Sequence, residues 1–251
     1  MSTKAEWKGS VLTFYESSDQ ERIERLAPCR FKEDFIGAYH SAAAAGYPAA
    51  GSEESGCPWA TKIVGAAPPT VAGVTGGANG LVQCALTSDS QKQDAFLGMG
   101  DQRTFDVSKG LVFEARVKVS VTPTLVAEAY WGLFDDWSDG LVDSATYMIC
   151  FCADGSTSVY CESDDDASDK SADSGVTAGT TDWRVYRFEV LDVTDIHFFI
   201  DGNRVASSTT FPFAATGANA VLQPAIGLYK ASGAGVGTIQ VDYIKIWHNR
   251  S

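Results

Sequence analysis

The 251-residue sequence contains no apolar run long enough to cross a bilayer as a helix. Histidine is scarce and scattered, at His40, His197 and His248 only. No CxxC pair occurs, so the six cysteines (Cys29, Cys57, Cys84, Cys150, Cys152 and Cys161) lack the ligand spacing of a structural zinc site. Lysine and arginine form no cluster. With 19 basic against 32 acidic residues the formal net charge is −13, which repels a phosphate backbone and argues against nucleic acid as a partner. No serine or cysteine lies in a nucleophile elbow. No glycine-rich loop follows a strand and opens a helix, so residues 73–80 read as a turn-rich linker rather than a nucleotide site. The N-terminal MSTKAEWKGS lacks the apolar core and small-residue cleavage site of a secretory signal. The expectation is synthesis in a reducing cytoplasm, with the cysteines as buried free thiols; disulfides would have to form after release from the cell.

What the sequence does hold is alternation. The apolar fraction is 45%, enough for a dense core. In Leu111–Val121 the odd positions are apolar, while Glu114, Arg116, Lys118 and Ser120 occupy even ones. That pattern predicts a strand with one buried and one wet face, as in an antiparallel sheet. Further strands are predicted at 81–86, 95–99, 126–134, 145–152, 158–161, 183–191, 196–200, 221–229 and 239–247. Cys150 and Cys152, two apart on one of these, share a face. Asp201-Gly202 between two β-rich runs predicts a hairpin turn, because glycine tolerates positive φ. About ten short strands without an intervening helix predict a two-sheet sandwich or barrel.

The front of the chain differs. Ser18 and Glu21 have capping-box spacing, Ile23 and Leu26 share a helical face, and Pro28 ends the run. Such a short helix needs something to dock on. It follows a predicted strand at 11–15 and precedes a predicted extended segment at 29–35. Residues 1–30 are therefore expected to be an arm or anchor, and 31–251 the sandwich domain. Residues 40–60 and the acidic 162–181 are predicted to be long surface connections.

His197-Phe198-Phe199-Ile200-Asp201-Gly202-Asn203-Arg204-Val205 and the terminal Ile239-Gln240-Val241-Asp242-Tyr243-Ile244-Lys245-Ile246-Trp247 resemble the concanavalin A-like lectin/glucanase superfamily, including its laminin-G-like modules. The resemblance implies a jelly-roll sandwich of two large antiparallel sheets, one concave. Val11-Leu12-Thr13-Phe14-Tyr15-Glu16, Leu26-Ala27-Pro28 and Phe31 to Gly37 are similar to the opening of tailed-bacteriophage structural proteins that carry such a domain. This likeness implies a virion location, assembly in the host cytoplasm, the major capsid protein or another virion protein as partner, and a homo-oligomer such as a trimer.

Retaining glucanases of this superfamily carry a Glu-x-Asp-x-x-Glu strand, which sets two carboxylates about 5 Å apart. That pattern is absent. Glu162-Ser163-Asp164 lacks the final glutamate, and Glu114 and Glu128 stand alone on their strands. No catalytic residue is therefore assigned, and an enzyme is not expected. Asp164, Asp165, Asp166, Asp169 and Asp173 form one acidic cluster, and Asp135, Asp136, Asp139 and Asp143 a second. Calcium takes clustered oxygen ligands, but neither cluster has EF-hand spacing. Both read as charged loops repelling themselves into solvent, so no cofactor is expected and calcium is the alternative. Tyr130, Trp131 and Trp137 could form an aromatic platform for a sugar, although adjacent strand residues face opposite ways and one of the first two must point into the core. The expected function is a non-enzymatic capsid decoration protein. A lectin-like glycan-binding module is the alternative, and a polysaccharide-cleaving hydrolase ranks last.

Overall fold

The computed structural model describes residues 3–8, 11–16, 29–36, 47, 57–121, 127–140, 144–154, 158–178 and 182–249. Strands β1 (Thr3–Lys8) and β2 (Val11–Glu16) form an antiparallel hairpin of their own. It pairs with neither large sheet. The helix expected between Ser18 and Pro28 and most of the connection at 40–60 lie outside the described residues.

The other strands follow in chain order. They are β3 (Cys29–Glu33), β4 (Ala60–Val64), β5 (Thr70–Gly73), β6 (Val82–Ala85), β7 (Gln93–Gly98), β8 (Phe105–Asp106), β9 (Leu111–Val121), β10 (Ala127–Phe134) and β11 (Tyr147–Asp154). Then come β12 (Ser158–Asp165), β13 (Asp169–Thr177), β14 (Arg184–Val190), β15 (His197–Ile200), β16 (Asn203–Val205), β17 (Val221–Lys230) and β18 (Gly237–His248). They build two eight-stranded sheets. Sheet I has the order β13-β12-β11-β10-β17-β7-β4, with β8 beside β17. Sheet II has the order β16-β15-β14-β9-β18-β6-β5, with β3 beside β18. The architecture is the expected all-β, two-sheet antiparallel sandwich. Its first strand in sheet II begins at Cys29.

The alternation of β9 is realised. Leu111, Phe113, Ala115, Val117 and Val119 are buried between the sheets, and Glu114, Arg116 and Lys118 point outward. In β18 the apolar phase shifts, since Ile239 and Val241 face inward and so do Ile244 and Ile246. A bulge between Val241 and Tyr243 absorbs the extra residue. Asp242 sits at that bulge and takes the Arg116 guanidinium at 2.5 Å. The Asp201-Gly202 turn has positive φ at both residues (51° and 79°), as a tight hairpin between twisted strands requires. The Asp201 carboxylate also accepts the Val185 N–H and pairs with Arg184, both at 2.9 Å.

The acidic 162–181 segment is not the loop expected. Most of it is a hairpin of β12 and β13, paired from Ser158↔Thr177 to Asp164↔Asp169. The Asp165 carboxylate accepts N–H groups from Ala167 (3.1 Å) and Ser168 (2.7 Å) across the turn, and from Ala214 (2.6 Å). Because β13 is an edge strand with most side chains exposed, no buried face imposes apolar alternation on it. The short β4 and β5 were also not predicted, for want of length.

At one end of β17, Lys230 is fully buried. Its ammonium donates to the carbonyls of Thr87 (2.7 Å), Asp89 (2.5 Å) and Gly235 (2.9 Å). This one cation fastens the 87–89 turn to the loop before β18. Substituting Lys230→Met keeps the side-chain volume but leaves three carbonyls without their donor. It should lower unfolding free energy by about 2–4 kcal/mol, read as a fall in the urea midpoint at unchanged m-value.

Candidate functional site

Strand alternation sends one set of sheet I side chains away from the core, and the register lines them up in rows. Tyr160, Cys152, Tyr130, Gly227, Phe96 and Lys62 lie side by side across β12, β11, β10, β17, β7 and β4. The next row holds Glu162, Cys150, Gly132 and Ala225, a floor of small residues beside the aromatic row. The row beyond carries Asp164, Met148, Phe134 and Gln223. On the other side of the aromatic row, Glu128, Tyr229 and Asp94 are aligned. Gly227 is required by close approach, because a Cβ there would come within 2.3 Å of the Tyr130 ring tip. The Tyr130 ring thus lies across Gly227, and its hydroxyl reaches Asp94 Oδ1 at 3.5 Å.

The segment leaving β10 folds back over this face. Trp137 donates its backbone N–H to Asp101 Oδ1 (2.8 Å) and its indole N–H to Asp94 Oδ2 (3.3 Å). Its ring meets Phe96 edge-on, with centroids 6.5 Å apart, and the Lys62 ammonium sits 4.9 Å from its centroid. Lys62 also pairs with Asp101. Further ties are Asp136 to Arg103 (3.3 Å) and Asp139 to Lys92 (2.8 Å). Buried Gln223 joins both sides. Its amide N–H groups donate to Asp101 Oδ1 (3.1 Å) and the Asp135 carbonyl (2.8 Å), and its oxygen accepts the Met99 N–H (2.8 Å). Between segment and sheet a shallow recess of about 20 Å³ remains, open to solvent and roomy enough for about one water molecule. Its walls are the rings of Phe96, Tyr130, Phe134 and Trp137, with Asp136 and Ser138 as polar groups.

Asp94 is fully buried beneath Trp137. Desolvation pushes its carboxyl up to about 7, and nearby Asp139 adds to the shift. The Trp137 and Tyr130 donors pull the other way without cancelling it. Burial also raises the Tyr130 phenol. At Asp101 burial opposes ionisation, but hydrogen bonds from Lys62, Trp137 and Gln223 outweigh it and hold the carboxyl below its usual range.

Tyr130 and Trp137 are thus brought together, while Trp131 is the neighbour that enters the core. Glu128 stands on the same outward face, but Glu114 lies on the other sheet, bonded to the Tyr243 hydroxyl at 3.0 Å. The Glu162 carboxylate accepts from Ser171 (2.8 Å). The acidic clusters disperse into local ties. Asp164 accepts the Asp166 N–H (2.9 Å), Asp173 the Gly175 N–H (2.8 Å), and Asp135 the N–H groups of Thr146 and Tyr147 (3.2 Å each). Among the described residues, no group of three or more His, Cys, Asp or Glu side chains is placed to hold a metal ion. Asp143 and His40 lie outside the described residues. His197 faces Asp195 (3.4 Å) on sheet II, and His248 Nδ1 lies 2.7 Å from the Asn249 carbonyl. The six cysteines are thiols rather than disulfides, four of them buried. Burial pushes the Cys84 and Cys161 thiols far up. Sequence reasoning missed Asp94, Phe96, Phe134, Asp101 and Lys62. The available signal was the alternation of Asp94, Phe96 and Gly98, opposite in phase to Ala95 and Leu97.

No family model matches the sequence, and no curated protein matches it. Among solved structures, the chain is similar to a protein of unknown function from Shewanella oneidensis MR-1. That match has 13% identity and a TM-score of 0.54, covering 89% of this chain and 88% of the other. It is also similar to an endo-β-1,4-glucuronan lyase from the fungus Trichoderma reesei, at 11% identity and a TM-score of 0.51, covering 75% and 90%. The carbohydrate recognition domain of Emp47p matches at 11% identity and a TM-score of 0.49, covering 80% and 94%. At these identities the first two likenesses are ones of fold, and the fold is the concanavalin A-like two-sheet sandwich.

Asp94 makes stability depend on pH in a definite direction. Its folded pKa, about 7, lies above the unfolded value of about 3.9. Between those values the folded state binds the extra proton, so Asp94's contribution to stability falls as pH rises from about 4 to 7 and is flat above. In Asp94→Asn this decline should vanish. The check is urea unfolding of both proteins at several pH values, with the difference between them narrowing towards acid.

Proposed function

We propose that this protein is a non-catalytic carbohydrate-binding module that takes a neutral glycan at the outward face of sheet I. The observation that carries the reading is the half-buried Trp137 ring at the mouth of the recess, backed by the buried rings of Phe96, Tyr130 and Phe134, with Asp136 and Ser138 beside it. Aromatic rings pack against the C–H faces of sugars, and a few placed polar groups fix the hydroxyls. Neutral sugars are favoured because Glu128, Asp136, Asp139, Glu162 and Asp164 make this face acidic, which repels a polyuronate. For the same reason the lyase activity of the fungal neighbour is not carried over.

The reading is non-catalytic on physical grounds. Asp94 has a carboxyl poised near neutrality but no exposed surface, so a glycosidic oxygen cannot come within hydrogen-bond reach of it. Glu128 stands two strands away, about 10 Å by strand spacing. A glycan array probed with the full chain should give hits without added calcium, and Trp137→Ala should weaken them about tenfold or more while the sandwich stays folded. An array without hits would remove this reading, and reducing sugar released from a bound glycan would replace it with an enzyme.

A second reading is favoured by the β1–β2 hairpin, which forms a sheet separate from the sandwich. We propose that it serves as an arm by which the chain decorates a virion, seated on the major capsid protein with the sandwich turned to solvent, in a homo-oligomer such as a trimer. Many such contacts acting together would give avidity that no single arm has. Glycan binding and decoration are compatible. Deleting residues 1–28, which stops short of β3, should abolish association with capsids of the source virus and leave the circular dichroism of the sandwich unchanged. Undiminished association would remove the arm.

A further inference from the structure

The outward face of sheet II carries more cations than anions, the reverse of sheet I, although Arg116, Arg187 and Lys245 are paired there with Asp242, Glu189 and Glu114. Register places Lys32, Lys245, Glu114, Arg187, Phe199 and Arg204 in one row across β3, β18, β9, β14, β15 and β16. The row crosses five strand gaps, about 24 Å at about 4.8 Å each. Arg30, Arg116 and Lys118 lie in the flanking rows, level with Trp247, Tyr243 and Gln240. Seven cations thus share one face with three acidic residues, Glu114, Glu189 and Asp242. Two more, Asp34 and Asp195, stand at its margins beside Lys32 (3.2 Å) and Arg204 (3.5 Å). The face keeps a positive surplus on a chain whose total is −13.

Aromatic rings are interleaved with these cations. Arg187 lies 5.6 Å from the Trp247 centroid, Arg116 5.0 Å and Lys118 6.0 Å from that of Trp183, and Lys245 4.7 Å from that of Tyr243. Arg30, Lys32 and Arg204 are exposed, and the ion pairs of the last two are of the exposed kind, worth little in water and readily exchanged for a better acceptor.

We propose that this face binds an acidic polysaccharide, a polymer of sugar rings with one carboxylate on each. The ligand chemistry follows from the spacing. Sparse cations with rings between them suit a polymer with one charge per ring, whose C–H faces can lie on Trp183, Tyr243 and Trp247. A nucleic acid duplex carries a charge about every 1.7 Å, which is denser than this face can match. The site is separate from the sheet I recess, so each stands without the other.

The test is affinity electrophoresis of the full chain through gels containing sodium alginate, neutral dextran or random-sequence duplex DNA. Alginate should retard the protein and dextran should not. The retardation should disappear at about 1 M salt, where the screening length is about 3 Å. Lys32→Gln with Arg187→Gln and Lys245→Gln should weaken alginate binding about tenfold or more. The exposed pair Lys32→Gln with Arg204→Gln should weaken it severalfold without risk to the core. Trp137→Ala should leave it unchanged, so that failure here is distinguishable from failure of the sheet I site. No retardation by alginate, retardation untouched in folded variants, tighter binding to DNA, or a shift explained by self-association would each overturn the proposal.

Discussion

Ring packing between the two sheets is the interaction on which the rest of the molecule depends. From sheet I, Trp131 and Phe151 stack at 6.0 Å and 13°. Tyr186 of sheet II meets Trp131 at 4.7 Å and Phe151 at 5.1 Å, both edge-on, and Phe198 meets Phe151 at 5.3 Å. Phe113 and Phe188 stack at 4.9 Å, and Phe211 closes the series against Phe198. Each ring is worth about 1.5–3 kcal/mol in buried area, and the oriented pairs add to it. Because this layer, with the aliphatic side chains of β17 and β18 beside it, fills the space between the sheets, the outward positions are released from core packing. They are where the sequence can place chemistry.

The two outward faces use that freedom differently. Sheet I turns a second apolar layer outward and covers it with the segment after β10. The cover is held by polar ties, at Asp94, Asp101, Lys62, Lys92 and Arg103. Burying Asp94 without a cation of its own costs stability, and the same burial fixes the indole above it. Sheet II spreads cations and rings over an open surface with no covering segment among the described residues. One face is a shallow, acidic recess and the other a broad plane with a positive surplus, so the two suit ligands of different size and charge.

How far this was legible in the sequence depended on burial. Strands with one buried face, such as β9 and β14, announce themselves by period-2 alternation. The Asp201-Gly202 turn was legible because only a few residue types accept its backbone angles. β13 was not legible, since a strand wet on both sides is under no pressure to alternate. Nor was the β18 bulge, because Val241-Asp242-Tyr243 reads equally well as unbroken alternation. Tyr130 and Trp137 could be suspected from their types and neighbourhood. Asp94 could not, because a single aspartate at the start of an apolar run looks like a strand end until register sets it beside Tyr229 and beneath Trp137. The basic face was invisible for a related reason. Its cations come from five strands between Arg30 and Lys245, so no stretch of sequence is basic, and the absence of a lysine and arginine cluster said nothing about what the sheet would assemble.

The aspartates of β13 bear on how these molecules stand next to one another. An edge strand is an open template for another strand. Here that edge carries Asp169 and Asp173, with Asp164 and Glu162 on the neighbouring strand. Two such edges brought together meet like charge against like before any backbone bond can form. This edge is therefore closed to a second copy of itself, and any contact between copies is left to other parts of the chain.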